Sequence, residues 1–340
     1  MNMKRIWILA LACLILLSGC MAAKPQDATQ PQATTRSLQE NSTEPPAAET
    51  VVTEPLPTEP PPTEPPLPPT DTTPPEELGM TATNAFVYDT GISHMVYLGG
   101  DGDAQLAMAS LTKLMTAYTA RQIMEPEYII TVGSEVEWID PLSSRAWVAD
   151  GHQLTMEMLI EAMMLPSGND AAYAIAVGGG RVLAEDPELD KEMALNVFLD
   201  EMNAQARALG MKNSHFANPD GIDEEGHYTT VNDLAVLSLA VLQDEIIMKY
   251  AGMAEDDVVF ASGEIITWKN SNYLLHPDME EYYTPEAVGL KTGSTEEAGR
   301  CLISVFQRED GSFLIVGILG CTEEDPVRYD ETLILYEMYR

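Results

Sequence analysis

Cations are scarce in this 340-residue chain: 18 Lys and Arg stand against 54 Asp and Glu, a net charge of -36. Phosphate backbones are held by basic faces, so nucleic acid is excluded as a partner. Cysteine is scarce too, and four Cys in a chain of this length build no disulfide scaffold. The five His are scattered and no Cys-x-x-Cys occurs, so no metal and no other cofactor is expected. Long apolar runs are missing as well. Ile6 to Leu17 spans 12 residues, short of the ~20 that a hydrocarbon core of ~30 Å requires.

What the N-terminus does hold is an address. Lys4 and Arg5 precede that apolar run, which ends in Leu17-Ser18-Gly19-Cys20. A positive start, a short apolar core and small residues at its end read as a secretory signal. The last four residues resemble the bacterial lipobox, whose Cys becomes the lipidated first residue of the mature protein. The plainer reading is an ordinary signal that happens to contain a Cys, but no Ala-x-Ala site lies nearby. Residues 1–20 are read as a lipoprotein signal peptide and Cys20 as the lipidation site. The protein is then expected outside the cytoplasm, lipid-anchored to the outer face of the bacterial cytoplasmic membrane.

Residues 21–78 hold 15 of the 23 Pro and repeat Thr-Glu-Pro at residues 43–45, 53–55, 58–60 and 63–65. The segment has no aromatic residue and little apolar surface with which to offset its ordering entropy. It is expected to be a disordered linker, extended by Pro and by repulsion among its Glu residues.

Residues 79–340 read as one globular domain. Ala85–Tyr88 and Met95–Leu98 are short strands around Asp89-Thr90-Gly91, a turn signal. Apolar residues recur at helical spacing over 110–123, 154–165, 170–177, 194–209 and 232–242. Leu302–Gln307 and Phe313–Leu319 form a hairpin across Glu309-Asp310-Gly311, and 327–339 reads as a closing helix. Strands at both ends with helices between them predict an α+β fold: an antiparallel sheet flanked by helices, with an all-helical insertion.

Three short motifs carry chemistry. In Ser110-Leu111-Thr112-Lys113, the i,i+3 spacing lets a Ser hydroxyl and a Lys amine meet on one helical face. A desolvated Lys near another cation loses its proton more readily and can serve as a base. In Ser167-Gly168-Asn169, Ser is also a good helix N-cap, which is the bland reading. In Lys291-Thr292-Gly293, followed by Ser294-Thr295, Gly293 would let a substrate backbone approach a strand. Each tripeptide alone fits an ordinary surface. All three in one order do not.

Ser-x-x-Lys, Ser-x-Asn and Lys-Thr-Gly occur together in penicillin-binding proteins and class A β-lactamases. The chain resembles the low-molecular-weight penicillin-binding proteins that act as serine D-alanyl-D-alanine carboxypeptidases. Further matching stretches are Leu165–Ala172, Leu209-Gly210-Met211, Asn218-Pro219-Asp220-Gly221, His227-Tyr228-Thr229-Thr230, Asn270-x-Asn272-x-Leu274-Leu275 and Gly289–Gly293. The resemblance implies the penicillin-binding, β-lactamase-like transpeptidase fold. It implies removal of the terminal D-Ala from peptidoglycan stem peptides, with β-lactams as inhibitors.

By that resemblance Ser110 is the acylated nucleophile, Lys113 its base and Ser167 a proton relay. Asn169 binds substrate, and Lys291 keeps Lys113 partly neutral. The backbone N–H groups of Ser110 and Ser294 form the oxyanion hole, Gly293 lies beside the substrate, and Thr292 and Thr295 contact it. Arg328 matches a basic position that would take the substrate carboxylate, against a reading as a solvated helix Arg. Many relatives carry His or Tyr where this chain has Ser294. Many also have a second β domain and a C-terminal amphipathic helix; here the anchor is expected at Cys20 instead.

Cys301 and Cys321 sit at the outer ends of the final hairpin, where a disulfide and two free buried thiols both remain open. The Glu-x-x-Leu-Asn pattern of a class A β-lactamase is absent, since Glu201-Met202-Asn203 has the wrong spacing. Other readings kept are a β-lactamase, a D,D-endopeptidase and a catalytically silent wall-binding lipoprotein.

Overall fold

The computed structural model describes residues 66–261 and 263–340. The signal peptide, Cys20 and most of the linker lie outside the described residues.

Short, nearly continuous apolar runs build the central sheet. Strands β1 (Asn84–Asp89), β2 (His94–Gly99), β7 (Ala287–Thr295), β8 (Gly299–Gln307) and β9 (Phe313–Cys321) form one five-stranded sheet in the order β2-β1-β9-β8-β7. All its pairings are antiparallel. The first two strands therefore pair with the last three, and the sheet is closed by residues from both ends of the domain.

Its two faces are covered by different partners. Ala85, Val87, Leu302, Phe306, Leu314 and Val316 point to one side and pack with Met80, Tyr97, Tyr329, Leu335 and Tyr336. The last three lie on α7 (Val327–Tyr339), which matches the expected 327–339 in both bounds. Phe86, Ile303, Val305 and Ile315 point to the other side and join the helical core. Such strands are apolar at nearly every position because both faces are buried.

The helices lie between β2 and β7 in sequence: α1 (Thr112–Ile123), α2 (Met156–Met164), α3 (Asn169–Leu183), α4 (Lys191–Leu209), α5 (Val231–Val241) and α6 (Glu245–Ala251). The α+β class and the helical insertion are as expected. Two small hairpins accompany them: β3 (Ile129–Thr131) with β4 (Gln153–Thr155), and β5 (Glu255–Val259) with β6 (Ile265–Lys269). Neither was expected from the sequence, and in the second the three acids Glu255-Asp256-Asp257 hide the ribbon. Its inner face, Val258 and Trp268, is nevertheless buried, and Trp268 Nε1 donates to Ala146 O at 2.9 Å.

The expected linker ends too late. Asp71 N donates to Val96 O and Asp71 O accepts from Leu98 N, both at 2.9 Å, so the chain joins the edge of β2. Pro75–Leu78 forms a 3-10 turn with Pro75 buried. The segment can order because the exposed edge of β2 supplies the backbone partners that its own sequence lacks.

Candidate active site

Ser110 sits in a 3-10 turn, Ala109–Leu111, that runs directly into α1. Ala109 has a φ of +48°, a left-handed conformation that costs a non-glycine residue about 1–2 kcal/mol. The strain is held by packing from two sides. A Cβ on Gly221 would lie 1.9 Å from Ala109 O, and one on Gly293 would lie 3.1 Å from Ser110 N. Both glycines thus serve the turn that carries Ser110. Gly293, expected beside the substrate, also leaves room for this turn of the protein itself.

One helical turn on, Lys113 is fully buried. Its Nζ lies 2.9 Å from Ser110 Oγ, 2.7 Å from Asn169 Oδ1 and 2.6 Å from Asp220 O. Burial pushes this amine down from 10.5 to about 8, with the Asp220 and Asp170 carboxylates pulling the other way. A neutral amine has two N–H donors and one lone pair. Asn169 Oδ1 and Asp220 O can only accept, so they take the two donors. The lone pair then faces the one partner able to give a proton, the Ser110 hydroxyl.

The second motif meets the third across the site. Ser167 has a φ of +61° and does not cap α3; Gly168 holds that place. Ser167 Oγ instead accepts from Lys291 Nζ at 2.9 Å, and Lys291 also donates to Thr292 O at 3.1 Å. Lys291 is buried, which drives its amine well below the ordinary value, and Lys113 and Arg328 add to the effect. Asp170 braces this wall. Its carboxylate accepts the Ala146, Val148 and Ala171 N–H groups at 2.9, 3.0 and 3.0 Å.

The structure thus brings Ser110, Lys113, Ser167, Asn169 and Lys291 into one cluster, with β7 as an edge strand beside it. Other expected contacts stand differently. Thr292 Oγ1 is hydrogen-bonded to Ser271 Oγ, and Thr295 Oγ1 donates to Asp223 Oδ1 at 2.6 Å. Both hydroxyls expected to meet substrate are therefore engaged within the protein. Ser294 is exposed, and its Oγ donates to Gly293 O at 2.7 Å.

Arg328 is no solvated helix residue. It is 6% exposed, and Nη1 donates to Gly293 O and Ser294 Oγ at 3.0 Å and to Cys301 O at 3.2 Å, while Nη2 pairs with Asp325. It fastens α7 to the back of the Gly293-Ser294 segment. Cys301 and Cys321 are both free and buried. Sequence reasoning missed Ser271 and the Asp220 carbonyl, although both fall in stretches that the resemblance covers.

Comparison with known proteins agrees with this geometry. The peptidase S11 family model, D-alanyl-D-alanine carboxypeptidase, matches residues 70–322. The chain is 28% identical over 232 residues to the D-alanyl-D-alanine carboxypeptidase DacF of Bacillus subtilis, covering 66% of this chain and 54% of that protein. It is 31% identical over 256 residues to DacD of Escherichia coli K12, covering 72% and 58%. The chain therefore spans little more than half the length of these two relatives. The crystal structure of the Streptomyces K15 DD-transpeptidase superposes with a TM-score of 0.68 at 27% identity, covering 79% of this chain and 98% of that one. With its fold, its motif cluster and the matched span in accord, the chain belongs to the peptidase S11 family of D-alanyl-D-alanine carboxypeptidases, the low-molecular-weight penicillin-binding proteins.

Proposed function

We propose that the protein is a serine D,D-carboxypeptidase that removes the terminal D-Ala from peptidoglycan stem peptides during wall maturation. The observation that carries this reading is the position of Lys113 Nζ, 2.9 Å from Ser110 Oγ and fixed by two acceptors that cannot donate. Ser110 Oγ attacks the carbonyl carbon of the penultimate D-Ala as its proton passes to Lys113. The backbone N–H groups of Ser110 and Ser294 hold the developing oxyanion, an effect of about 3–4 kcal/mol per donor in comparable sites. The scissile C–N bond breaks as the proton held by Lys113 is relayed through Ser167, itself hydrogen-bonded to Lys291, to the departing D-Ala amine, which leaves Lys113 neutral again. Water then adds to the ester as its proton passes to the neutral Lys113, and the same proton returns to Ser110 Oγ as that oxygen departs.

Asn169 Oδ1 is taken by Lys113, which leaves its Nδ2 amide for a substrate carbonyl. Arg328 supplies positive charge behind Gly293 and Ser294, where a substrate carboxylate would gain from it. A β-lactam offers the same carbonyl and carboxylate, and its acyl-enzyme on Ser110 should persist, so penicillins act as inhibitors.

A second reading, a D,D-endopeptidase that cuts cross-links, draws support from one relative. The D-alanyl-D-alanine endopeptidase of Pseudomonas aeruginosa is 28% identical over 241 residues. Release of D-Ala from an L-Lys-D-Ala-D-Ala peptide, blocked by penicillin, is the expected result. Cleavage of purified cross-linked muropeptides without release of terminal D-Ala would replace the first reading by the second.

The proposed setting is extracytoplasmic, with lipid on Cys20 and residues between it and Pro69 as a spacer. Among the described residues no helix is long and apolar enough to cross a membrane. Mass spectrometry of the membrane-bound protein should find diacylglycerol on Cys20, and a Cys20→Ala variant should leave the membrane fraction.

A further inference from the structure

The strained turn that carries Ser110 is tied to a residue that bonds to neither the nucleophile nor its base. His227 lies just before α5 and is 7% exposed. Its Nδ1 accepts the Ala217 N–H at 3.1 Å. A backbone N–H can only donate, so in the neutral ring the proton must sit on Nε2. Nε2 lies 2.8 Å from Thr112 Oγ1 and therefore donates to it. With its lone pair so used, the Thr112 hydroxyl directs its own proton to Ala109 O, also at 2.8 Å.

The direction of each bond follows from the first. The chain ends on the carbonyl of the residue whose φ is +48°, one position before the nucleophile. Thr112 itself stands between Ser110 and Lys113 in sequence. Burial holds the imidazole neutral by pushing it down to about 4, with His215 and Lys113 adding to that effect and Asp223 opposing it.

We propose that His227 is a positioning residue for acylation: through Thr112 it fixes the Ala109 carbonyl, and with it the turn that aims Ser110 Oγ at Lys113. The proposal rests on the reading of Ser110 as the acylated nucleophile. It goes beyond that reading by making the rate of acylation depend on an imidazole that never meets the substrate. Misplacement of a reacting atom by a fraction of an ångström lowers rate without lowering affinity, which separates this role from plain support of the fold.

The test uses the full chain and a fluorescent penicillin, and separates the binding constant from the acylation rate at saturation. His227→Phe keeps the ring volume but removes both hydrogen bonds. It should lower the saturated rate about tenfold or more and leave the binding constant within about twofold. His227→Gln, whose amide can still donate toward Thr112, should restore the rate to within about threefold of wild type. Thr112→Val should lower the rate as His227→Phe does, and adding His227→Phe to it should cost no more than about twofold further.

If the Phe protein does not fold, His227→Asn keeps the acceptor for Ala217 but is too short to reach Thr112, and it takes the same place in the cycle. A folded His227 variant that acylates at the wild-type rate would overturn the proposal. So would a loss that adds in full to that of Thr112→Val. Absence of any adduct on wild-type Ser110 would instead refute the functional reading itself.

Discussion

Acylation should be switched on by rising pH through the ionisation of Lys113. The amine is the base only when neutral, so rate follows the neutral fraction. Burial places its midpoint at about 8 instead of 10.5, which corresponds to about 3 kcal/mol in favour of the neutral form. With a midpoint near 8, about one lysine in a hundred is neutral at pH 6 and about half at pH 8. The rate of penicillin acylation should therefore fall about tenfold per pH step below pH 7 and level off above pH 9.

The sign of the electrostatic control is fixed by the Asp220 carboxylate, which favours the charged form of Lys113. Asp220→Asn removes that charge while keeping the carbonyl that accepts from Nζ, so it should move the midpoint to lower pH. Stopped-flow acylation from pH 5 to 10 reads both. A flat profile between pH 5 and 9, or a midpoint near that of a free lysine, would refute the assignment of Lys113 as base. A shift of the Asp220→Asn midpoint to higher pH would refute the electrostatic reasoning.

Two substitutions test the walls of the site. Gly293→Ala puts a methyl 3.1 Å from Ala109 Cβ, Met108 O and Ser110 N, so the turn must yield by a few tenths of an ångström. Acylation should slow about tenfold with a small change in melting temperature, and an unaltered rate would show that the turn is not held by β7. Asp170→Ala leaves the Ala146 and Val148 N–H groups without their acceptor. It should cost about 2–3 kcal/mol in denaturant unfolding, and a loss below ~0.5 kcal/mol would mean that water replaces the carboxylate there.

Much of this architecture is written in local pattern. The helix at 327–339 has helical apolar spacing, and β1 and β2 are short apolar runs on either side of a turn, so neighbours in sequence suffice to find them. Residues 255–269 were missed because three consecutive acids hide a ribbon whose inner face is set by burial against Ala146. Asp71 takes its backbone partners from an edge that lies about 25 residues further along the chain. In the site, Ser110, Lys113, Ser167, Asn169 and Lys291 were legible because their chemistry resides in side chains at fixed spacing. The Asp220 carbonyl was not, since a backbone acceptor leaves no mark in the residue letter. The partners that Thr292 and Thr295 take within the protein, Ser271 and Asp223, are distant in sequence and leave no local mark.

Lys113, Lys291 and Arg328 are gathered at 0, 2 and 6% exposure around one strand end. Burial favours the neutral forms of the two amines, and a carboxylate arriving beside them would favour the charged ones, so an anion in the cleft should draw protons in with it. Occupancy by an anion should then make the protein harder to melt, so that heat resistance reports on how full the cleft is.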